Sequence, residues 1–523
     1  MFRARTRPAQ DPDARTGPGA RPAVAIAVLA SCGLLVSLLQ TMVVPLLPRF
    51  PELLSVTPST ASWLITANLV AGAVSAPVLG RLGDMFGKRR MLLVALVLVG
   101  VGSVIGALAP GIELLLVARV LQGTAFGVIA LGMSLMRDIL PPERVGSGVG
   151  LMSSSLGFGG AIGLPITGVV AQFTSWRWLF AGAAVLALVQ IVLVRRLVAE
   201  SGLRTGGRFD AVGAVGIGAL LVSLLLAVSK GNEWGWTSPQ VIGLFVAALV
   251  LAPVIGRYEL RTRTPLVDLR VSARPAVLLT NTATVLVGFS MFAGFVLTTQ
   301  LLQAPVATGY GFGQSLLVAG LVLLPMGGSM VLFSSTSARL SRARGPRTTL
   351  VLGTLVLGAG NLAFATLPGT IWLLMLVATL TAIGAALAYS AIPLLIMRAV
   401  PESETAAANS LNTLARQLGT SACTAFVAAV TTAFVLDDGI LPAGIAYTIA
   451  FAGAGAAGLL ATLLVAVTPA PAPERPATPD RGPEHGPDRG PEHGPEHGPE
   501  HGPEHGPEHG TRAAATTPEA CRH

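Results

Sequence analysis

Residues 91–109 read MLLVALVLVGVGSVIGALA, a run of 19 positions that contains no charged side chain. A helix that crosses the hydrocarbon core of a bilayer needs roughly 20 mostly apolar residues. A strand of a membrane barrel would span about 10 residues with alternating polarity, whereas this run is longer and apolar on all sides. It therefore predicts one membrane-spanning helix.

The same pattern recurs along the chain, which predicts an all-α integral membrane protein with about 14 transmembrane helices. Hydrophobic residues make up 52% of the sequence and charged residues 12%, about half the charged fraction that is usual in soluble domains. No polar interval is long enough for a soluble enzyme domain. The apolar stretches lie at about 23–48, 59–79, 91–109, 112–135, 146–172, 177–196, 210–229, 239–256, 275–302, 314–335, 348–366, 370–396, 405–432 and 442–467.

Basic residues are concentrated in alternate loops. The loops on one side, together with the N-terminus, hold 25 arginines and lysines, whereas the opposite loops hold only Arg49, Arg177 and Lys230. An excess of basic residues marks cytoplasmic loops. The asymmetry predicts that both termini lie in the cytoplasm and that the net charge of +9 reflects topology rather than nucleic-acid binding.

Both ends of the chain are predicted to be disordered. Residues 1–22 are rich in arginine, proline and glycine, and residues 469–523 contain a Gly-Pro-Glu-His repeat and all seven histidines. Proline and glycine in every unit prevent regular helix or sheet. The repeat could bind zinc or nickel weakly, but a solvated spacer is favoured, so no metal site and no cofactor are predicted.

Two basic loops share one pattern, which indicates an internal duplication. GRLGDMFGKRR at 80–90 and ARLSRARGPR at 338–347 both place Arg-Leu after a small residue and a basic residue after a later glycine. Duplicated halves with a substrate site between them are common in secondary transporters. We therefore expect two six-helix halves, at 23–197 and 259–468, with two inserted helices at 198–258.

Three motifs carry a resemblance to a known family. The loop at 80–90 resembles the loop between helices 2 and 3 of the major facilitator superfamily, and LVARVLQGTAFG at 116–127 is similar to its helix 4 motif. GGAIGLPITG at 159–168 resembles the helix 5 motif of its antiporters, without the usual Gly-Pro and terminal Gly-Gly. With 14 spans, the chain most resembles the fourteen-helix drug:proton antiporters over about residues 23–467. The resemblance implies the major facilitator fold and transport of small molecules.

The loop at 80–90 is predicted to act as a gate. An acid beside a basic cluster at the membrane surface can form a latch between helix ends that is closed in one conformation and open in the other. The alternative is an anchor that only fixes topology. The residues assigned to the gate are Gly80, Gly83, Asp84, Gly87, Lys88, Arg89 and Arg90.

Polar side chains inside the spans are candidates for the transport cavity. A charge within the membrane costs about 2.5–3.5 kcal/mol on insertion scales and usually faces a polar space. Arg119 lies in helix 4, and the resemblance implies that it takes part in proton coupling; Arg416 lies in helix 13. For both arginines the alternative is hydrogen bonding between helices. The full candidate set is Arg119, Gln122, Gly123, Gln40, Arg416 and Asn412.

Helix 5 is predicted to be thin and bendable. Small residues let helices approach closely, and a proline removes a backbone hydrogen bond. The helix would then seal the two halves against each other in one state, or it would simply pack tightly. The motif residues are Gly159, Gly163, Pro165 and Gly168.

No carboxylate lies in the middle of any predicted span. The resemblance implies an aspartate in helix 1, but Gln40, which cannot titrate, stands at that place. Glu113, at the outer end of helix 4, is the nearest candidate for proton coupling. A cavity with arginine and no central carboxylate is expected to favour neutral or anionic amphiphiles over lipophilic dications.

These features favour a secondary active transporter of the plasma membrane. It would export amphipathic drugs or secondary metabolites by alternating access, coupled to protons, as a monomer in the lipid bilayer. The alternatives are a nutrient or metabolite transporter (an importer or uniporter) and, less favoured, a membrane sensor that transports nothing. An enzyme is not predicted, because phosphate-binding loops, intramembrane histidine clusters and paired catalytic carboxylates are not found in the sequence.

Overall fold

Fourteen long helices, numbered α1 to α14, run through the described part of the chain. The structure is a computed structural model that describes residues 22–204, 209–262, 265–267, 269–366, 369–400, 404–436 and 442–467. The two segments predicted to be disordered, 1–22 and 469–523, lie outside these residues apart from Pro22. The helices are α1 (Pro22–Thr41), α2 (Pro58–Phe86), α3 (Lys88–Leu108), α4 (Ile112–Ile139), α5 (Pro142–Phe173), α6 (Arg177–Leu197), α7 (Ala211–Trp234), α8 (Pro239–Arg261), α9 (Pro275–Gln303), α10 (Leu316–Arg344), α11 (Pro346–Phe364), α12 (Ile371–Ala399), α13 (Thr405–Ala433) and α14 (Gly444–Val467).

Thirteen of the described helices are long and apolar enough to cross a membrane. The remaining helix, α13, has 29 residues but is more polar, because Asn409, Asn412, Arg416 and Gln417 lie within it. It packs against α2, α4, α7 and α9 inside the bundle. The prediction of an all-α membrane protein with about 14 transmembrane helices is confirmed, and α13 owes its place to its neighbours rather than to its own hydropathy.

Two predicted spans differ in detail from the observed helices. Residues 23–48 predict one span, but α1 ends at Thr41 and is followed by a 3-10 helix, Val44–Arg49, and a short α-helix, Phe50–Leu54. The prolines at 45 and 48 explain the difference, since proline cannot donate the N–H that an α-helix needs. Helix α4 is divided at Thr124 into Ile112–Gly123 and Ala125–Ile139.

The helices form two six-helix halves, as predicted. In the first half, α1–α6, side chains such as Leu35, Leu64 and Leu96 form one buried apolar core. In the second half, α9–α14, a separate core contains Leu357 and Phe451. The exact domain boundaries given above stay predictions.

The inserted pair, α7 and α8, lies beside the junction of the halves. Leu221 and Leu225 of α7 pack against Ala73 of α2 and Leu414 of α13. Helix α7 therefore contacts both halves, whereas α8 packs mainly on α7 and leaves most of its surface exposed, as expected for a helix that faces lipid.

A buried lysine holds the far end of α7 to α2. Lys230 is 0% exposed, and its Nζ atom is 2.9 Å from a Glu233 carboxylate oxygen. It also donates to the Ser62 hydroxyl and lies 4.7 Å from the ring centre of Trp63. These contacts tie the inserted pair to the first half.

Helices α5 and α13 join the halves to each other. Helix α5 packs on α10 and α12, and α13 packs on α2 and α4. The α5–α10 pair is in contact along its length, because Gly150 lies beside Ser334 near one end and Gly168 lies beside Leu317 near the other. The end of the bundle that contains the loop at 80–90 is called the motif end below.

Candidate functional site

Asp84 joins the two halves at the motif end. Its side chain is almost fully buried and accepts hydrogen bonds from the backbone N–H groups of Ala407, at 3.0 Å, and Ala406, at 3.4 Å. These N–H groups belong to the first turn of α13, where amides have no partner inside the helix and the helix dipole favours a negative charge. Because α2 and α13 belong to different halves, these hydrogen bonds join the two halves at the motif end.

Lys88 forms a second link across the same junction. Its Nζ atom is 2.7 Å from Asp138 and 3.6 Å from Asp84, and it donates to the Thr405 hydroxyl of α13 at 3.0 Å. The Ser201 hydroxyl donates to the same oxygen of Asp138. Lys88 is 1% exposed, so its charge depends on these carboxylates for stabilisation. Asp84, Lys88, Asp138 and Thr405 are called the charge cluster below.

The turn between α2 and α3 is held within the first half. Gly87 has a φ of +115°, a region that favours glycine. The Glu200 carboxylate accepts hydrogen bonds from the backbone N–H of Arg89, at 2.9 Å, and of Arg90, at 3.1 Å, so it caps the start of α3. The Arg89 guanidinium donates to the Arg195 carbonyl. The structure therefore places Arg89 and Arg90 beside α6, away from α13.

Two glycines of the motif allow the helices at this end to approach closely. A Cβ atom on Gly80 would lie 2.9 Å from the Ala406 carbonyl oxygen and would overlap the Ser410 side chain. A Cβ atom on Gly83 would overlap Leu131 of α4. Only a residue without a side chain at 80 leaves α13 free to reach Asp84.

Arg119 lies in the interior of the first half. Its Nε atom donates to the Leu64 carbonyl at 2.9 Å, and its Nη1 atom donates to the Leu39 carbonyl at 3.0 Å and to Gln122 at 2.9 Å. Gln122 donates in turn to the Ser103 hydroxyl at 3.0 Å. These bonds connect α1, α2, α3 and α4, as the interhelical alternative describes. A role of Arg119 in the cavity or in proton coupling stays a prediction.

The remaining cavity candidates of the first half are separated from one another. Gly123 allows α4 to cross α2, because a Cβ atom there would lie 2.9 Å from the Asn68 carbonyl oxygen. Gln40 is half-buried near the end of α1. Glu113 is exposed in the first turn of α4, and in the described part of the chain it forms no ion pair with Arg119.

The helix 5 motif divides between two neighbours. Gly159 and Gly163 pack against α1 within the first half. Pro165 lies against Gly320 of α10. A Cβ atom on Gly168 would lie 3.5 Å from the backbone of Leu317, which is also on α10. One face of the motif therefore packs the half itself and the other face meets the second half.

Arg416 and Asn412 of α13 make different contacts. Asn412 donates to the Thr284 hydroxyl at 2.8 Å and to Asn281 at 3.1 Å, both on α9. Arg416 is half-buried, and its guanidinium carbon lies 5.5 Å from the ring centre of Tyr389 on α12. No carboxylate pairs with Arg416 among the residues that the structure describes.

The motif end contains residues that sequence reasoning did not assign to the site. Asp138 and Glu200 are acids in the predominantly basic loops of this side, and an acid in such a loop was a usable signal. Thr405 carried no signal of its own, because its role depends on α13 meeting α2 and α4.

A family model identifies the class of protein that has this architecture. The model for the Major Facilitator Superfamily matches residues 29–424 and 345–490. The chain belongs to the Major Facilitator Superfamily, which consists of transporters rather than enzymes.

Individual relatives agree with this assignment. The chain is 30% identical over 410 residues to the lincomycin resistance protein of Streptomyces lincolnensis, covering 76% of this chain and 82% of that one. It is 29% identical over 474 residues to a puromycin resistance protein of Streptomyces alboniger, covering 86% and 91%. The fold is similar to that of the human organic anion transporter TETRAN, with a TM-score of 0.60 and 16% identity over 86% of this chain and 100% of that chain. The many membrane spans of this chain are consistent with a transporter of the plasma membrane.

Proposed function

We propose that the protein is a secondary active transporter that exports amphipathic drugs or secondary metabolites by alternating access, coupled to protons. It works as a monomer of the plasma membrane with both termini in the cytoplasm. The observation that carries the proposal is the charge cluster, which joins the halves at the motif end only while that end is closed.

Alternating access requires an equilibrium between two states that ligands can shift. The Asp84 carboxylate of α2 accepts hydrogen bonds from the first turn of α13. These bonds stabilise the closed state, because opening the motif end removes them. Opening also removes the bond from Lys88 to Thr405. Both carboxylates of the cluster remain with Lys88 in the first half, so water can replace the lost contacts without leaving an unpaired buried charge.

The names of the relatives support export rather than import. Two of the most similar chains are a lincomycin resistance protein and a puromycin resistance protein, and a third is a tetracenomycin C resistance and export protein of Streptomyces glaucescens. Resistance to a compound that acts inside the cell follows from its removal. The basic motif end would then face the cytoplasm, in line with the excess of arginine in its loops.

Proton coupling needs a titratable group whose surroundings change during the cycle. Asp84 and Asp138 meet this requirement, because both are buried beside Lys88 in the closed state. They supply carboxylates at the junction even though Gln40 stands where the resemblance implies an acid.

The test is transport in everted membrane vesicles that contain the full chain. Radiolabelled lincomycin, puromycin and a panel of cationic, neutral and anionic dyes are offered with and without a proton gradient. We expect uptake of at least one compound, driven by acidification of the vesicle interior and abolished by a protonophore. Uptake that does not depend on the proton gradient would refute proton coupling but not transport. If no compound is taken up faster than by vesicles that lack the protein, the exporter is refuted.

A further inference from the structure

We propose that Arg416 and Asn409 of α13, beside Tyr389 of α12, form a binding subsite for an anionic group, a carboxylate or sulfonate, of the transported amphiphile. The inference rests on the proposed function for the route of the ligand, but the subsite itself is argued from its own geometry.

Arg416 is a charge in the middle of the bundle whose donors remain available. Eleven residues separate it from Thr405, which is roughly 17 Å along α13 at 1.5 Å per residue. That distance is about half of the 30 Å hydrocarbon core, so Arg416 lies near the midplane. Its observed partner is the face of the Tyr389 ring, which attracts a cation but accepts no hydrogen bond from the guanidinium.

Asn409 is a second polar group that lacks a partner. It is 2% exposed, and neither its Oδ1 nor its Nδ2 atom has a hydrogen-bond partner in the described structure. A buried amide without partners costs about 1–3 kcal/mol, so such a group is usually satisfied by water or ligand. Seven residues, or two helical turns, separate it from Arg416, which places both on one face of α13.

The neighbours of α13 around this pair are protein helices. Asn412, three residues after Asn409 and four before Arg416, lies beside them and is bonded to α9, whereas Ser410 lies against Gly80 of α2. Leu414 packs against α2 and α7 on the side of the inserted helices. Asn409 is 2% exposed and the Arg416 guanidinium lies over Tyr389 of α12, so the face that carries them is turned towards the interior of the bundle rather than towards lipid.

The chemistry of this face selects for a negative charge. The planar guanidinium presents paired N–H donors that match the two oxygens of a carboxylate or sulfonate. The Asn409 amide adds a donor on the same face, and the Tyr389 ring offers an apolar surface for the body of an amphiphile. Because the described residues place no carboxylate beside Arg416, a cationic ligand would meet an uncompensated positive charge there.

The same helix connects this subsite to the gate. The amides from which Asp84 accepts hydrogen bonds are at the start of α13, less than one turn before Asn409. A ligand bound to Asn409 and Arg416 would therefore contact the same helix whose first turn separates from Asp84 when the motif end opens.

The test is equilibrium binding to the purified full chain in lipid nanodiscs, followed by fluorescence anisotropy. The probes are fluorescein and its methyl ester, which differ by one carboxylate, with the cation rhodamine 123 as a third dye of similar shape. Fluorescein is expected to bind more tightly than its methyl ester. Arg416→Gln should weaken fluorescein binding about tenfold to a hundredfold, the range of a hydrogen-bonded charge pair, and leave the ester nearly unchanged.

Three further variants keep the result open to refutation. Arg416→Lys retains the charge without the paired donors and should lose an intermediate amount, which tests the proposal even if Arg416→Gln fails to fold. Asn409→Leu should also weaken fluorescein selectively. Arg144→Gln removes one exposed positive charge at the start of α5 and should change nothing.

Equal affinities for fluorescein and its ester, or equal losses for both probes in Arg416→Gln, would overturn the subsite. Tighter binding of rhodamine 123 than of fluorescein would do the same. Selective fluorescein binding together with no transport of any compound in vesicles would retain the subsite and refute the exporter, so the two proposals fail separately.

Discussion

Replacing Asp84 by asparagine should shift the protein towards the state that is open at the motif end. Asparagine keeps the size of the side chain and one carbonyl oxygen but removes the negative charge. In the closed state that charge faces two amides at the start of α13, at 3.0 and 3.4 Å. In the open state these amides are out of reach, whereas the ion pair of Asp84 with Lys88 is lost in both states, so the substitution penalises the closed state more than the open one.

The magnitude follows from the kind of hydrogen bond that is lost. A hydrogen bond to a charged group contributes about 1.5–3 kcal/mol, and a neutral one about 0.5–1.5 kcal/mol. The hydrogen bond from Ala406 is long, so we count only the bond from Ala407, which changes from a bond to a charged acceptor into a bond to a neutral one. The closed state should lose about 1–2 kcal/mol, which is roughly a 5- to 30-fold change in the equilibrium between the states.

The shift can be measured as a distance between two spin labels. Arg196→Cys on α6 and Arg398→Cys on α12 introduce labels at exposed positions, one in each half, near the motif end. Cys521 is replaced by serine, while Cys32 and Cys423 are fully buried and are not expected to react. Double electron–electron resonance should show a longer distance gaining population in Asp84→Asn.

Asp210→Asn is the matched control. Asp210 also accepts a hydrogen bond from a helix amide, that of Gly213 at 2.8 Å, but both residues belong to the start of α7. This control should leave the distances unchanged. An unchanged distribution in Asp84→Asn, or a shift towards shorter distances, would refute the reasoning that Asp84 stabilises the closed state.

Three other substitutions test separate parts of the argument. Gly80→Ala should reduce transport several-fold because its Cβ atom meets a backbone carbonyl of α13 at 2.9 Å, whereas Gly182→Ala, which has open space around it, should have no effect on the same vesicle assay. Arg119→Leu should lower the unfolding temperature in detergent, because two buried carbonyls lose their donor at about 1–3 kcal/mol each; normal stability with lost proton coupling would instead support a direct coupling role. Glu200→Gln should destabilise the start of α3 by about 1 kcal/mol, the usual range for a helix cap, seen as faster amide exchange at residues 89 and 90, and unchanged exchange there would contradict the cap.

Much of the architecture could be predicted from local sequence. Each apolar run is long enough to span a bilayer whatever surrounds it, so the helices at 91–109 and elsewhere follow from composition alone. The alternation of basic loops and the repeated loop pattern then predict two halves with an inserted pair. Helix α13 was predicted at 405–432, but its polar residues leave it outside the thirteen described helices that are apolar enough by themselves, and its place also depends on packing against its neighbours.

The site depended on tertiary structure to a greater degree. The motif at 80–90 predicted a latch, but its partner is the first turn of a helix more than 300 residues away in the sequence. Arg119 and Arg416 look alike in sequence, because each is the single arginine inside a predicted span. The structure gives the first three carbonyl and amide acceptors and gives the second an aromatic face.

Hydropathy is a property of each segment, so the spans and their number to within one could be predicted from the chain alone, and the resemblance of the motifs at 80–90 and 116–127 indicated the family. The pairing of buried polar groups is a property of which helix faces meet, and no local pattern encodes it. For that reason the contacts of Asp84 and Lys88 across the motif end, and the difference between a hydrogen-bonded Arg119 and an Arg416 beside an aromatic ring, were decided only by how the 14 helices pack together.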